Sequence, residues 1–361
     1  MRKIKKIVLA AVIISLFSTP VFAKEKTADD YLSDFENIVP EGSGLEDGEG
    51  LFGVGVDKLF SEIFSSVSGA GSEVVGFFLL LLGLGLLFSL ADFTAGFGNA
   101  RLAAAVRSGV SALSALLIFS HLEGLVFSVS ENLESLSGFF SALIPIITGI
   151  SLASGAVTSS GVQAVNMNLT LAVIGKLTSS VLIPLVFMIF SLALVSAVGS
   201  SASRLAAGTR SVFNWTLGIL TTVLIASISM QSFLATTKDT VALRAAKYAL
   251  SGSIPMVGST VSGALSTLTG ALSEVGAVVG VGSVAVIFTM AASPVIIMLL
   301  YRLALSVSLW LFDFVGAGGV HSSFSAFRAA LDTLISVYAV SAIVYILEIV
   351  IFIRGGVSVF V

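Results

Sequence analysis

The segment from Val275 to Tyr301 reads VGAVVGVGSVAVIFTMAASPVIIMLLY and contains no charged side chain. A helix needs about 20 apolar residues to cross the hydrocarbon core of a bilayer, so this segment is long enough to span one. Similar uncharged windows lie at 74–91, 135–175, 177–203, 211–237 and 248–273. Such continuous apolar runs argue against a β-barrel, whose strands alternate apolar and polar residues over about ten positions. The sequence predicts an all-α polytopic membrane protein.

Composition supports the same class. Hydrophobic residues make up 56% of the 361 residues and charged residues only 11%, with a mean hydropathy of +1.07. This leaves too little polar surface to cover a soluble globule of that size. The net charge of −3 comes without a basic tract, so nothing indicates a nucleic-acid partner. The absence of cysteine excludes disulfides and thiol chemistry.

Three regions are predicted along the chain. Residues 1–23 are typical of a signal peptide, with basic residues before an apolar run and Val21-Phe22-Ala23 at the cleavage position. The alternative is an uncleaved N-terminal anchor. Residues 24–73 form an acidic extracytoplasmic segment with short amphipathic helices, and 74–361 form the polytopic membrane domain.

The acidic segment contains two patches with helical spacing. The first patch is Tyr31, Leu32, Phe35 and Ile38, and the second is Val56, Leu59, Phe60, Ile63 and Phe64. Each patch suits docking on a partner, lying on the membrane, or resting against the chain's own bundle.

About seven transmembrane helices are predicted in the membrane domain. We place them at 74–91, 108–128, 177–199, 211–232, 275–300, 303–320 and 333–353. Seven crossings put the C-terminus in the cytosol, and most arginines agree with that topology under the positive-inside rule. Lys238, Arg244, Lys247 and Arg328 oppose it. The 303–320 span is the weakest, and an interfacial position for it would reverse the side of the C-terminus.

The window 135–175 exceeds one span and is interrupted by small and hydroxylated residues. The interruption predicts a hinge or conduit formed by Ser154, Gly155, Thr158, Ser159, Ser160 and Gly161. Non-helical backbone at membrane depth persists only where it is buried in protein or lines water, so a re-entrant hairpin lining a pore is one interpretation. An ordinary loop outside the membrane is the other.

The block from Val241 to Leu265 combines a cationic helix, a proline and a glycine-spaced helix. Arg244 and Lys247 share one face of a predicted interfacial helix, and Pro255 favours a turn after it. A flat packing face is then predicted at Gly263, Gly270, Gly276 and Gly280. Such faces let membrane helices approach closely, within one chain or between copies.

Glu348 is the deepest charged residue of the predicted spans. Ionisable groups inside membranes are costly and often functional, so it is a candidate for a proton or cation role. A buried ion pair with Arg302 is the alternative. No HExxH or GK[ST] motif is present, and two histidines without cysteine do not build a metal site. We therefore predict no catalytic residue, cofactor or metal, and no enzyme.

Three patterned segments carry a resemblance to a known family. They are SLASGAVTSS at 151–160, VFNWTLG at 212–218, and DTVALRAAKYALSGSIPMVG at 239–258. In these segments, and in its layout from about residue 51 to 355, the chain resembles the stage III sporulation protein AE family.

The resemblance implies a location and a set of partners. Members of this family sit in the mother-cell membrane around the forespore, within a channel or secretion-like complex. That complex includes a cytosolic ATPase and ring-forming membrane subunits, and it sustains late forespore gene expression. The expected function is that of an integral membrane subunit of this complex, with the N-terminal segment extracytoplasmic. The alternatives are a stand-alone permease or a non-conducting membrane scaffold.

Overall fold

The computed structural model describes residues 26–40, 56–95, 100–154, 157–196, 205, 208–219, 221–222, 258–315 and 321–357. The elements are α1 (Ala28–Glu36), α2 (Val56–Ala95), α3 (Ala100–Ala153), α4 (Val157–Leu177), a π-helical turn (Thr178–Leu182), α5 (Ile183–Ser196), α6 (Gly258–Val315) and α7 (His321–Val357). Residues 208–219 are also helical. The described ranges contain no strand, and the predicted all-α class is confirmed.

The helices pack around α3. The most extensive contact is between α6 and α7, which run antiparallel, and α3 lies against both. Helix α2 packs on α3 and α6, whereas α4 and α5 pack on α3 and α7. The core between them is built from large apolar side chains such as Phe77, Phe140 and Phe327, which are fully buried.

The outer surface of this bundle is apolar. Val165, Trp310 and Phe314 are 68%, 70% and 91% exposed. Side chains of this kind on a long helix suit contact with lipid, because lipid tails are as apolar as they are. Among the described residues, five stretches are long and apolar enough to cross a membrane. These are Ile63–Ala91, Ala104–Ala153, Ser160–Val195, Glu274–Phe314 and Phe324–Ile351.

The predicted count of seven spans is not confirmed. The span predicted at 275–300 and the described part of the span predicted at 303–320 lie in the single helix α6, which runs through Arg302 without a break. Arg302 was expected to separate two spans, but its guanidinium pairs with Asp332 of α7 and the helix continues. The Glu274–Phe314 stretch of 41 residues is about 60 Å long, roughly twice a hydrocarbon core. The number of helices is therefore not the number of crossings.

Several predictions fall partly or wholly outside the described residues. The helical residues 208–219 cover the start of the span predicted at 211–232. The signal peptide at 1–23 and the interfacial residues Arg244 and Lys247 lie outside the described ranges.

Helix α1 docks against the bundle of its own chain. A capping box fixes its start, because the Thr27 hydroxyl accepts from the Asp30 N–H and the Asp30 carboxylate accepts from the Thr27 N–H at 2.8 Å. The Phe35 side chain is 1% exposed, and the Tyr31 ring lies over Gly149 of α3. The first patch was expected to dock on a partner, lie on the membrane or pack against the chain's own bundle. In the structure it packs against the bundle.

The second amphipathic patch is not a separate short helix. Helix α2 begins at Val56 and runs without a break past residue 73, where we placed the start of the membrane domain. Phe60 and Phe64 in this stretch are 65% and 74% exposed, whereas Ile63 is buried. The patch is therefore the N-terminal extension of a long apolar helix.

Glycines at two helix contacts allow close approach. A β-carbon at Gly85 of α2 would overlap the ring of Phe312 on α6. A β-carbon at Gly149 would lie 2.7 Å from Cε1 of Tyr31, which is closer than real side chains approach. Neither glycine belongs to the face predicted from the GxxxG spacing.

Replacing Gly149 with leucine should release α1. The larger side chain would occupy the position of the Tyr31 ring, and the burial of Phe35 would be lost with it. Burying an aromatic side chain of this size contributes about 1.5–3 kcal/mol, so the docked state should become a minor one. Hydrogen–deuterium exchange of residues 28–36 measures the release.

Gly138→Leu is the matched control on the same helix, because nothing lies within 4 Å of a β-carbon at Gly138. Exchange in 28–36 should rise in Gly149→Leu and stay at the wild-type rate in Gly138→Leu. Equal exchange in the two variants would contradict the docking of α1.

Candidate functional site

Glu348 lies on the buried side of α7 and is 1% exposed. Its carboxylate oxygen Oε1 accepts a hydrogen bond of 2.6 Å from the hydroxyl of Thr170 on α4. A buried carboxyl group needs such partners, because its transfer out of water costs several kcal/mol otherwise (about 1–3 kcal/mol even for a neutral polar group). The Thr170 contact therefore joins α4 to α7 through polar atoms.

The ion pair that we considered between Glu348 and Arg302 is wrong. Arg302 donates to Asp332, which lies 16 residues before Glu348 on α7. At 1.5 Å per residue this separates the two acidic side chains by about 24 Å along the helix axis. Arg302 therefore belongs to a different level of the α6–α7 pair.

A cavity of about 240 Å³ lies close to Glu348, between α3, α7 and the π-helical turn. Helix α3 contributes Ser130, Glu134 and Ser137 to its lining, and α7 contributes Ser341 and Tyr345. The hydroxyl oxygens of Ser137 and Tyr345 are 2.8 Å apart and hydrogen-bonded. Polar atoms of two helices thus meet inside the bundle.

The π-helical turn supplies the third wall. The N–H of Ile183 donates to the carbonyl of Thr178, five residues earlier, and Pro184 follows without an N–H of its own. Such single-turn bulges are frequent at functional sites. Here the bulge places Thr178 and Ser179 at the cavity.

The two hydroxyl groups of this turn have different environments. Ser179 donates to the carbonyl of Gly175 at 2.8 Å, one turn back along the helix. The hydroxyl of Thr178 is buried, with 6% of the residue exposed, and has no hydrogen-bond partner among the described residues. Buried polar groups are nearly always hydrogen-bonded to protein or to water, so we expect this hydroxyl to bind water or another ligand at the cavity.

The cavity ends close to Glu348 along α7. Ser341, Tyr345 and Glu348 have the spacing of one helix face on α7, and Glu348 lies about 4.5 Å of helix rise beyond Tyr345. On the other wall, Ile174 lines the cavity one turn after Thr170. The polar lining therefore ends about one turn from the buried carboxyl group.

A second cavity, of about 450 Å³, lies between α2, α3 and α6. Glu73, His121, Tyr301 and Pro294 are among the residues that line it. The His121 ring stacks on Phe77, with ring centroids 5.4 Å apart. Helical spacing puts the α3 residues of this cavity on the opposite face from Ser130, Glu134 and Ser137.

Tyr338 connects α3, α6 and α7 through its hydroxyl. Pro294 has no N–H, so the carbonyl of Met290 loses its usual partner four residues later in α6. The Tyr338 hydroxyl lies within hydrogen-bonding distance of two acceptors, that carbonyl oxygen at 3.2 Å and the side-chain oxygen of Asn132 on α3. Its single proton is donated to one of them at a time. The Tyr338 side chain is 0% exposed. When the proton is donated to Met290, the Tyr338 hydroxyl replaces the hydrogen bond that Pro294 removes from α6.

The predicted hinge forms the connection between α3 and α4. Helix α3 ends at Ala153, and α4 begins at Val157, so Thr158, Ser159, Ser160 and Gly161 belong to its first turns. The Ser154 hydroxyl donates to the carbonyl of Ser151 at 2.9 Å, and Ser160 is 1% exposed. Gly155 lies outside the described residues. None of the described hinge residues lines the 240 Å³ cavity.

The predicted glycine face lies on α6. Gly276 and Gly280 are buried within the bundle. Gly263 and Gly270 are in the same helix, in a part where the surroundings of the residues are not described.

The sequence-based interpretation missed most of the cavity. Glu348 was singled out because it is charged, whereas Thr170, Thr178, Ser341 and Tyr345 are common residues in apolar helices. The available signals were Pro184 four residues after the Thr178-Ser179-Ser180 run and the three- and four-residue spacing of Ser130, Glu134 and Ser137. Neither signal identifies which helices face one another.

Long apolar helices with a few buried polar contacts between them define this chain as a polytopic helical membrane protein. The family model described as stage III sporulation protein AE matches residues 44–356, and the chain belongs to that family. The resemblance found in the sequence is thereby confirmed. Stage III sporulation protein AE of Bacillus subtilis (strain 168) is 23% identical over 341 residues, which cover 91% of this chain and 84% of the relative. No solved structure matches the chain.

The Thr170–Glu348 contact predicts unequal effects of two substitutions. Thr170→Val removes the hydroxyl that donates to the buried carboxyl group and should cost about 1–3 kcal/mol of unfolding free energy. Glu348→Gln keeps an oxygen that accepts from Thr170 and should cost less. SDS-induced unfolding in mixed micelles compares them, and a Thr170→Val variant as stable as the wild type would contradict the contact.

Proposed function

We propose that this chain is an integral membrane subunit of a sporulation channel or secretion-like complex that links the mother cell to the forespore. In this role it is needed for late forespore gene expression. The observation that carries the proposal is the family match, which extends over residues 44–356 and so includes α2 to α7 almost completely. The similarity therefore concerns the helical bundle as a whole.

The bundle itself supports a role beyond anchoring. Polar residues inside membrane helices are costly and commonly mark pathways for ions or substrates. Glu348 with Thr170, and the neighbouring cavity with Thr178, place such residues between α3, α4 and α7.

The proposal includes a location and partners. The chain resides in the mother-cell membrane around the forespore, with its N-terminal segment on the extracytoplasmic side. Its partners are the lipid bilayer, the other membrane subunits of the complex, its ring-forming proteins and its ATPase. In this setting Arg244 and Lys247 lie at the membrane surface, and the glycine face at Gly263, Gly270, Gly276 and Gly280 packs against another helix.

The hinge is part of the same proposal. Ser154, Gly155, Thr158, Ser159, Ser160 and Gly161 remain candidates for the conduit. The burial of Ser154 and Ser160 favours a position within protein. That is the environment in which broken helices persist at membrane depth.

A stand-alone permease is the second candidate, and the observation that favours it is the buried Glu348 about one helical turn from a polar cavity. Permeases place such sites at discontinuous helices near the bilayer midplane. A permease works without other subunits, whereas a subunit of a complex does not. Co-purification of the chain with other membrane proteins from sporulating cells separates the two.

Deleting the gene in the host tests the proposal. We expect engulfment to be completed and late forespore gene expression, followed with a fluorescent reporter, to fall to the background level. The wild-type gene supplied from the mother cell should restore it, and supply from the forespore should not. Full reporter expression in the deletion strain would contradict the proposed function.

A complemented variant distinguishes a conduit from a scaffold. Glu348→Leu removes the buried carboxyl group. If the chain lines a conduit, this variant should assemble with the other subunits while forespore expression falls. Normal expression with Glu348→Leu would leave the scaffold as the better account of the bundle.

A further inference from the structure

We infer that the 240 Å³ cavity between α3, the π-helical turn and α7 is a hydrated binding site for a small monovalent cation. The inference goes beyond the sporulation role and does not depend on it. It starts from Thr178, which lines the cavity and whose buried hydroxyl has no partner among the described residues.

The cavity is large and polar enough to hold water. One water occupies about 30 Å³ of liquid, so about 240 Å³ has room for an ion and several water molecules. A cavity stays dry when its lining is apolar, whereas water needs two or more polar partners. Ser130, Thr178 and Ser341 are on separate walls and provide such partners.

The lining selects for positive charge. Its polar side chains all carry oxygen, and no Lys, Arg or His lines the cavity. Glu134 supplies one carboxylate and is exposed, which places it at the opening of the cavity. Among the described residues Glu134 has no ion-pair partner, so its charge is available to a cation.

A single carboxylate also limits the valence of the ion. Calcium takes six to eight oxygen ligands and several carboxylates, and the described residues contain no group of three or more acidic or histidine side chains. Hydroxyl oxygens with one negative charge suit a monovalent ion that keeps part of its water shell. The hydroxyls of Thr178, Ser179 and Ser341 then act as neutral oxygen ligands or contacts to that shell.

The experiment uses the full-length protein in detergent and measures thermal unfolding in sodium, potassium or choline chloride at equal ionic strength. A bound cation stabilises the folded state by mass action, so sodium or potassium should raise the melting temperature over choline by roughly 2–4 °C. Thr178→Val and Glu134→Gln should each abolish this increase. Equal melting temperatures in all three salts would overturn the inference.

Thr289→Val is the matched control. Thr289 is also buried in a membrane helix, but its hydroxyl donates to the carbonyl of Ala285 at 3.0 Å and does not line the cavity. The variant should keep the cation-dependent increase. A loss of the increase in Thr289→Val as large as in Thr178→Val would overturn the assignment to this cavity.

Cysteine labelling is a second test that does not depend on the melting temperature of a variant. The chain has no native cysteine, so Ser341→Cys can be labelled alone. The rate of each methanethiosulfonate with Ser341→Cys is divided by its rate with a free thiol in solution. This relative rate should be on the order of tenfold higher for a cationic reagent than for an anionic one, because Glu134 attracts the cation. Glu134→Gln should remove the preference. Trp310→Cys on the outer surface should be inert, and equal inertness of Ser341→Cys would mean a dry cavity and overturn the inference.

Both readouts use purified protein and no spore phenotype. Loss of the cation effect with a normal deletion phenotype would overturn the cavity assignment alone. A cation effect in a protein whose deletion leaves forespore expression intact would overturn the proposed function alone.

Discussion

The hydroxyl of Tyr338 on α7 lies between the side-chain oxygen of Asn132 on α3 and the backbone carbonyl of Met290 on α6. In a bilayer no water reaches the hydrocarbon core, so each freed backbone group must be satisfied within the protein. Pro294 frees the carbonyl of Met290 in α6, and the hydroxyl of Tyr338 can donate its one proton to that oxygen, 3.2 Å away, or to the side-chain oxygen of Asn132 of α3. Tyr338 of α7 thus contacts polar atoms of both α3 and α6 within the apolar core that the three helices share.

The rest of the bundle obeys the same constraint by other means. Glu348 is joined to Thr170, so α4 is held against α7. Gly85 and Gly149 instead let neighbouring side chains approach a helix backbone, which gives packing where lipid offers no hydrophobic drive between helices. The cavity beside the π-helical turn differs, because Thr178 has no partner among the described residues. The buried hydroxyl of Ser114 also lacks a partner among the described residues, but of the two residues only Thr178 lines the cavity.

Apolar runs were sufficient to predict the membrane class and the helical content. They were not sufficient for the number of spans, because a charge such as Arg302 was taken to end a span although Asp332 of another helix neutralises it. The amphipathic spacing of Tyr31 and Phe35 predicted a helix. Its docking site at Gly149 is 118 residues after Tyr31 in the chain, so local spacing could not identify it.

The candidate site illustrates the same limit. Glu348 could be recognised alone, since a carboxylate in an apolar helix is costly wherever it packs. Thr170, Thr178 and Tyr345 acquire meaning only through residues on other helices. Periodicity predicts which residues share a face, but it does not predict which helix covers that face. Similarity to a family adds a biological setting and leaves this packing undetermined.

A double-mutant cycle between Asn132 and Tyr338 tests most directly whether polar contacts between helices hold the bundle. The unfolding free energies of Asn132→Leu, Tyr338→Phe and the double variant would be measured in mixed micelles. The structure predicts a coupling energy of about 0.6–1.7 kcal/mol, the range found for hydrogen bonds between membrane helices. Strictly additive effects, with no coupling between the two positions, would contradict it.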